Sequence, residues 1–169
     1  MEMNFCRRCG TPLTHLQNHV YECENKHILF ANASPSTGIF FVTEDNQVLL
    51  SVRGIEPHKG ALDAFGGFCD GAETLESAVV RELEEELGLK PGDYTQPEYL
   101  TSGLGNYPYK NETLPVLSSF FWARLLTEDF QPQDDVAEVV TYPLAEVPLE
   151  KLHDEDIVAG IKALQRALL

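Results

Sequence analysis

Residues 67–89 read GFCDGAETLESAVVRELEEELGL, and this stretch decides the fold. Thr74 is a typical helix N-cap residue, and Gly88 is a typical residue to end a helix. Between them the leucines, valines and alanines recur at helical spacing. We therefore predict a helix over about residues 74–87.

The C-terminal end of this predicted helix carries four glutamates within residues 82–86. Acids at that end oppose the helix dipole, and acids four residues apart repel one another, so helix stability does not explain them. At about 100° per residue, Glu82, Glu85 and Glu86 continue the apolar stripe of the helix, whereas Glu84 lies on the opposite side. Three carboxylates are thus predicted to face inward.

Converging carboxylates at the edge of a core need a compensating cation. Oxygen ligands suit hard ions, so the predicted cofactor is Mg²⁺ or Mn²⁺. Arg81 lies beside Glu85 on the helix and is able to reach back to Glu73. Gly66 and Gly67 let the backbone approach a ligand closely. The alternative interpretation is an ordinary solvated acidic face.

The same stretch resembles the Nudix box, G-x5-E-x7-R-E-U-x-E-E-x-G-U with U apolar. The residues that fill its nine defined positions are Gly67, Glu73, Arg81, Glu82, Leu83, Glu85, Glu86, Gly88 and Leu89. The likeness extends over about residues 36–169. Ala64-Phe65-Gly-Gly stands where Leu-Pro-Gly-Gly is common in the family, and Gly71-Ala72-Glu73 stands where Pro-Gly-Glu is common. Neither departure removes a chemical group.

The resemblance implies hydrolysis of a diphosphate linkage, in which water attacks phosphorus at a glutamate-bound metal centre. It maps Mg²⁺ ligation onto Glu82, Glu85, Glu86 and a backbone carbonyl of Gly66 or Gly67, and one of the glutamates acts on the water as a base. It assigns Arg81 and Glu73 to orienting the helix and the loop before it.

Five residues outside the box are further candidate contacts. Family members often recruit an acid from a later loop, and Asp135 and Glu138 lie where that loop is expected. Arg53 is a candidate for contact with substrate phosphate, and Tyr107 and Tyr109 are candidates for stacking on a base. For each of them the alternative is an ordinary surface or packing role.

The rest of the chain predicts strands at residues 38–42, 47–53, 61–65, 98–104, 115–126 and 136–142. Residues 105–114 are predicted to form a polar loop, and a last helix is predicted at about residues 154–168. The predicted fold class is α/β (α+β), a Nudix α/β/α sandwich with a mixed β-sheet, preceded by a small zinc ribbon.

Three of the four cysteines lie within the first 23 residues. A C-x2-C pair and a C-x3-H pair, thirteen residues apart, predict a closed structural Zn²⁺ site. Its ligands are Cys6, Cys9, Cys23 and His27. His15 and His19 are rival ligands, and a segment that packs without metal is the other alternative.

We expect residues 1–33 to form the zinc ribbon and residues 34–169 the Nudix hydrolase domain. This order resembles the NADH pyrophosphatase branch, whose S-Q-P-W-P-F-P-x-S signature is absent here. The substrate choice therefore stays open among ADP-ribose, FAD- or NADH-type dinucleotides and nucleotide sugars. A non-catalytic nucleotide-sensing module is the alternative function.

The chain has 27 acidic and 12 basic residues, a formal charge of −15. This balance argues against long nucleic acid and against an anionic membrane surface as partners, and favours a small nucleotide derivative. The first ten residues lack an apolar signal-peptide core, so we expect a cytoplasmic protein. Family analogy suggests a homodimer.

Overall fold

The computed structural model describes residues 4–169, which divide into two compact units between Ala33 and Ser34. The first unit is a three-stranded antiparallel sheet made of β1 (Leu13–Gln17), β2 (Val20–Cys23) and β3 (Ile28–Phe30). Its small core is formed by Cys6, Cys23 and Leu29.

The second unit contains a six-stranded mixed sheet in the order β6-β5-β4-β8-β7, with β9 paired to β5. β4 and β8 are parallel, and the other strand pairs are antiparallel. The predicted mixed sheet is thus confirmed. The strands are β4 (Ser34–Val42), β5 (Gln47–Arg53), β6 (Leu62–Asp63), β7 (Glu98–Tyr109), β8 (Glu112–Arg124) and β9 (Val136–Pro143).

Two helices cover the two faces of this sheet. Side chains alternate between the faces of a strand, so neighbouring residues of β4 enter different cores. Ile39 packs in one core cluster with Leu83 of α1 (Leu75–Leu87), and Phe40 packs in the other with Ile161 of α2 (Glu155–Leu168). The predicted α/β/α sandwich is therefore confirmed. Within residues 4–169, no helix has the length and apolar character needed to cross a membrane.

The ends of α1 agree with the sequence signals. The Thr74 side chain accepts a hydrogen bond from the Ser77 backbone, and the Ser77 side chain accepts one from Thr74 in return. Gly88 adopts a left-handed conformation with φ of 70°, which a residue with a side chain rarely adopts. The helix therefore ends right after its glutamates and leaves them beside the loop that precedes it.

The predicted loop at residues 105–114 is wrong, because β7 and β8 continue as a long hairpin that turns at Lys110 and Asn111. Lys110 supplies the left-handed residue of the turn, with φ of 53°. Pro115, the first residue of the predicted strand, lies inside β8. It is tolerated because β8 pairs with β4 only from Val116 onward. The N–H group that a proline lacks is therefore not needed for a hydrogen bond to β4.

Candidate active site

A cavity of about 320 Å³ in the second unit gathers the loop before α1, the acidic helix and the start of α2. Among the described residues that line it, Arg53 is the one arginine or lysine. The acids of the wall are Asp63, Glu82, Glu85, Asp134, Asp135, Asp154 and Asp156. A cavity with seven acids and one guanidinium group repels an anion unless a further cation accompanies it.

Arg81 ties the acidic helix to the loop before it. Its guanidinium group donates to Glu73 at 2.7 and 3.3 Å, to Glu82 Oε1 at 2.8 Å and to Glu85 Oε2 at 2.9 Å. It also donates to the Phe68 carbonyl at 3.0 Å. The hydrogen bonds to Glu73 are the largest cause of the raised pKa of Arg81. The reach back to Glu73 expected from the sequence is present.

The three predicted inward glutamates differ in burial. Glu86 is only 4% exposed and accepts a hydrogen bond from the Gly66 N–H at 2.9 Å. Burial raises the pKa of Glu86 to about 9. Burial also raises the pKa of Glu82, although Arg81 acts against it. The Glu85 side chain is 49% exposed and lies at the rim of the cavity.

The glycine loop approaches these carboxylates without room for side chains. A Cβ atom on Gly67 would lie 2.7 Å from Glu82 Oε1, and one on Gly66 would lie 2.3 Å from the Thr37 carbonyl oxygen. The Gly67 carbonyl accepts from the Thr37 N–H at 2.9 Å and keeps a second lone pair. Buried carboxylates beside a backbone carbonyl are a donor set that fits a hard divalent cation.

The remaining predicted contacts fall into two groups. Arg53, Asp135 and Tyr107 line the cavity, and the Tyr107 ring meets Phe68 edge to face at 5.3 Å. Tyr109 and Glu138 are described residues that do not line it. The structure therefore brings together three of the five and places the other two elsewhere on the β-sheet.

Sequence reasoning missed several polar residues of the cavity wall, among them Asp63, Ser118, His153 and Asp156. Asp63 bonds both Arg53 and His153, and Ser118 donates to the buried Asp156 carboxylate. Burial raises the pKa of Asp156, against the effect of Ser118. The available signal was the acidic run at residues 154–156, which begins a helix and supplies more acid than one N-cap requires.

In the first unit, four side chains meet with the spacing of a tetrahedral metal site. Their ligand atoms all lie within 4.8 Å of one another, and the residues are Cys6, Cys9, Cys23 and His27. Bond lengths of about 2.3 Å to sulfur and about 2.0–2.1 Å to nitrogen separate tetrahedral ligands by about 3.8 Å for two sulfurs and about 3.5 Å for sulfur and nitrogen. The observed values are 3.7 Å between Cys9 and Cys23 and 3.5 Å between Cys6 and His27.

The rival histidines make other contacts. His15 Nε2 lies 2.7 Å from the Asn18 carbonyl oxygen, and the His19 ring packs on Phe30 with centroids 5.7 Å apart. The pKa of Cys9 is lowered to about 5, and hydrogen bonds from Thr11 are the largest cause. A thiol with a low pKa is well suited to bind metal as thiolate.

A family model for the NUDIX domain matches residues 33–162. This match covers most of the chain, and it agrees with the mixed sheet, the two helices and the acidic helix with its glycine loop. The chain therefore belongs to the NUDIX domain family.

Three similar proteins illustrate the range of this family. The chain is 33% identical to an ADP-ribose pyrophosphatase of Methanocaldococcus jannaschii, over 69% of this chain and 66% of that protein. It is 31% identical to the NAD-capped RNA hydrolase NudC of Pseudomonas aeruginosa, over 79% of this chain and 45% of that protein. The alignments thus span about half to two thirds of the lengths of these relatives.

The third is a solved structure, the NUDIX domain of Shewanella oneidensis NrtR complexed with ADP ribose. It superposes with a TM-score of 0.64 and 25% identity, over 83% of this chain and 91% of that one.

Proposed function

We propose that this protein hydrolyses the diphosphate linkage of a nucleoside diphosphate derivative with the help of Mg²⁺ or Mn²⁺. The observation that carries the proposal is the cavity itself, in which the carboxylates of α1 face a glycine loop and one arginine. Its acidity suits a substrate whose negative charge arrives together with a metal ion.

Glu82, Glu85 and Glu86, with the Gly67 carbonyl, are the residues that would hold the ion. The bound ion would neutralise the diphosphate oxygens and make water a stronger nucleophile. Arg81 keeps the carboxylates and the loop in register through its hydrogen bonds to both. One of the three glutamates takes the proton from the attacking water.

At the other side of the cavity, Arg53 would donate N–H groups to a phosphate oxygen. Asp135 lies close to Arg53, because the Asp135 carbonyl accepts a hydrogen bond at 2.6 Å from the N–H of Gly54, the residue that follows Arg53. Tyr107 also lines the cavity and would offer an aromatic ring to the base or sugar of the substrate.

ADP-ribose is the first substrate to test. A relative at 33% identity is named an ADP-ribose pyrophosphatase, and a similar domain was solved with ADP ribose bound. NAD-type dinucleotides come second because of the likeness to NudC.

We further propose that residues 1–33 form a zinc ribbon and residues 34–169 the hydrolase domain. A Cys3His site fills all four positions around Zn²⁺, so the role of this site is structural.

The deciding experiment measures product formation from ADP-ribose, NADH, FAD and a nucleotide sugar with Mg²⁺ present. We expect cleavage of at least one substrate, and an activity at least about 100-fold lower for Glu85→Gln. The matched control is Glu84→Gln, since Glu84 lies on the exposed side of the same helix and is paired with Lys90 at 3.5 Å. Binding without cleavage of any substrate would favour a nucleotide-sensing module instead.

A further inference from the structure

Three polar side chains from distant parts of the second unit meet in the cavity wall. Asp63 Oδ2 lies 3.0 Å from Arg53 Nη1 and 2.7 Å from His153 Nε2. Asp63 Oδ1 accepts from the Ala64 N–H at 2.8 Å. These contacts connect β5, β6 and the residue that precedes the N-cap of α2.

The Arg53 guanidinium group is held at two of its three nitrogens, and Nη2 has no protein partner within residues 4–169. Its Nε donates to the Pro57 carbonyl at 2.9 Å, and Nη1 donates to Asp63. A guanidinium group has five N–H donors, so three of them have no protein partner within residues 4–169. The Arg53 side chain is only 12% exposed, and the surface it lines is the cavity. Burial acts to lower the pKa of Arg53, but Asp63 outweighs it and raises this pKa.

His153 holds the acid from a different element. Its ring is 11% exposed and stacks on the His58 ring, with centroids 4.8 Å apart and an angle of 8° between the planes. Asp63 is an acceptor in its ionised form, so His153 Nε2 carries the proton of this hydrogen bond. A buried, stacked and hydrogen-bonded ring has little freedom, and it therefore fixes the Asp63 carboxylate.

We propose that Asp63 and His153 are positioning residues that hold Arg53 with its free N–H groups available to an oxygen of the substrate diphosphate. The proposal rests on the proposed function. An unsupported guanidinium group among seven acids would pair with whichever carboxylate it reached. Asp63 holds Nη1 in a fixed geometry and leaves both N–H groups of Nη2 for a ligand.

The ligand class follows from the same chemistry. A guanidinium group has donors and no acceptor, so it selects an acceptor, and its fork geometry matches carboxylate and phosphate oxygens. The proposed substrate carries phosphate oxygens along its diphosphate linkage.

The test is a double-mutant cycle between His153 and Arg53. The readouts are the dissociation constant of ADP-ribose, measured by calorimetry, and kcat and KM for its cleavage. We expect His153→Leu to raise the dissociation constant and KM about tenfold, with kcat changed less than about threefold. His153→Gln keeps an N–H donor and is expected to recover most of the loss.

The cycle separates positioning from general damage. In an Arg53→Ala background, His153→Leu should weaken ADP-ribose binding less than about twofold, because the group it positions is gone. A full tenfold loss in that background would overturn the proposal. Glu155→Gln is the matched control, since it removes an exposed polar group at the start of the same helix.

If His153→Leu does not fold, as judged by thermal melting, Asp63→Asn replaces it in the cycle and carries the same expectation. If the wild type binds ADP-ribose without cleaving any substrate, the proposed function fails while the binding cycle still decides the role of His153. If the wild type binds none of the four substrates, both proposals fail.

Discussion

Arg81 and Glu73, eight residues apart in sequence, form a two-point ion pair, with Nη2 2.7 Å from Oε1 and Nε 3.3 Å from Oε2. The pair joins α1 to the loop before it, and the same guanidinium group reaches Glu82 and Glu85. A single side chain thus keeps the loop and two carboxylates in one arrangement.

Replacing Arg81 by lysine should therefore reduce activity although the charge is kept. Lysine is a point charge and cannot bridge Glu73, Glu82 and Glu85 at the same time. We expect kcat/KM for the best substrate to fall at least about tenfold for Arg81→Lys. Arg166→Lys, on the exposed side of α2, is the control and should leave kcat/KM unchanged. Equal activity of the two variants would contradict the structural role of Arg81.

Glu82 and Glu84 provide a second comparison, between a buried and an exposed carboxylate of α1. The Glu82 side chain is 12% exposed and that of Glu84 is 58% exposed. We expect Glu82→Gln to weaken Mn²⁺ binding at least about tenfold, because a carboxylate ligand becomes a neutral amide. Glu84→Gln should bind Mn²⁺ like the wild type in a spin-resonance titration. If both variants bound Mn²⁺ more weakly, the loss would reflect the overall negative charge of α1 and not ligation by Glu82.

The fold and the acidic helix could be predicted because their signals are local. Thr74, Gly88 and the apolar stripe between them define α1, and the spacing of its glutamates gives the direction in which each one points. The burial of Glu82 and Glu86 follows from this spacing. The position of Glu85 at the rim does not, since it depends on how far the neighbouring loop extends over the helix.

The other side of the cavity could not be predicted for a physical reason. Asp63 and His153 lie 90 residues apart and meet only because β6 and the start of α2 are brought together by the sheet. Neither residue belongs to a periodic pattern or a recognisable motif. The extension of the β7–β8 hairpin was missed because residues 105–114 are polar and include a proline, a composition typical of loops, whereas their strand character comes from pairing with each other.

Gly67→Ala tests the close approach of the glycine loop to the acidic helix. The added Cβ atom would lie 2.7 Å from Glu82 Oε1, so the carboxylate must move away from the loop. We expect Mn²⁺ affinity to fall about tenfold while the melting temperature without metal changes little, because the atom that must shift ends a flexible side chain. Gly66→Ala is the contrast, since its Cβ atom would meet the Thr37 backbone at 2.3 Å and should lower the melting temperature. Unchanged Mn²⁺ affinity in Gly67→Ala would count against this arrangement.

The proposed zinc site predicts one equivalent of tightly bound Zn²⁺ in the purified protein. His27→Ala removes one of four ligands and should lower the zinc content below about half an equivalent, with a lower melting temperature. His19→Ala is the control, because the His19 ring packs on Phe30 away from the four ligands. Mass spectrometry of the intact protein and elemental analysis measure the content. If His19→Ala lost zinc and His27→Ala kept it, His19 and not His27 would be the fourth ligand.

Asp156 predicts a specific dependence of stability on pH. Burial raises the pKa of Asp156, and the charges of Asp154 and Asp63 act in the same direction, against the hydrogen bonds from Ser118 and the Ile157 N–H. In the unfolded chain an aspartate titrates near pH 4. Above that pH the unfolded chain has lost the proton while the folded protein keeps it, so the free energy of unfolding decreases as the pH rises through the raised pKa.

Asp156→Asn removes this titration and keeps the shape of the side chain. Its amide oxygen can accept from the Ile157 N–H, and its NH₂ group can donate to Ser118 Oγ. We expect the free energy of unfolding of the variant, minus that of the wild type, to increase as the pH rises from about 4 through the raised pKa of Asp156, in urea titrations without metal. The exposed Glu155→Gln controls for the loss of one negative charge at the start of α2. A difference that decreases with rising pH would mean that the folded protein favours the charged form of Asp156, and that its contacts with Ser118 and Ile157 outweigh its burial.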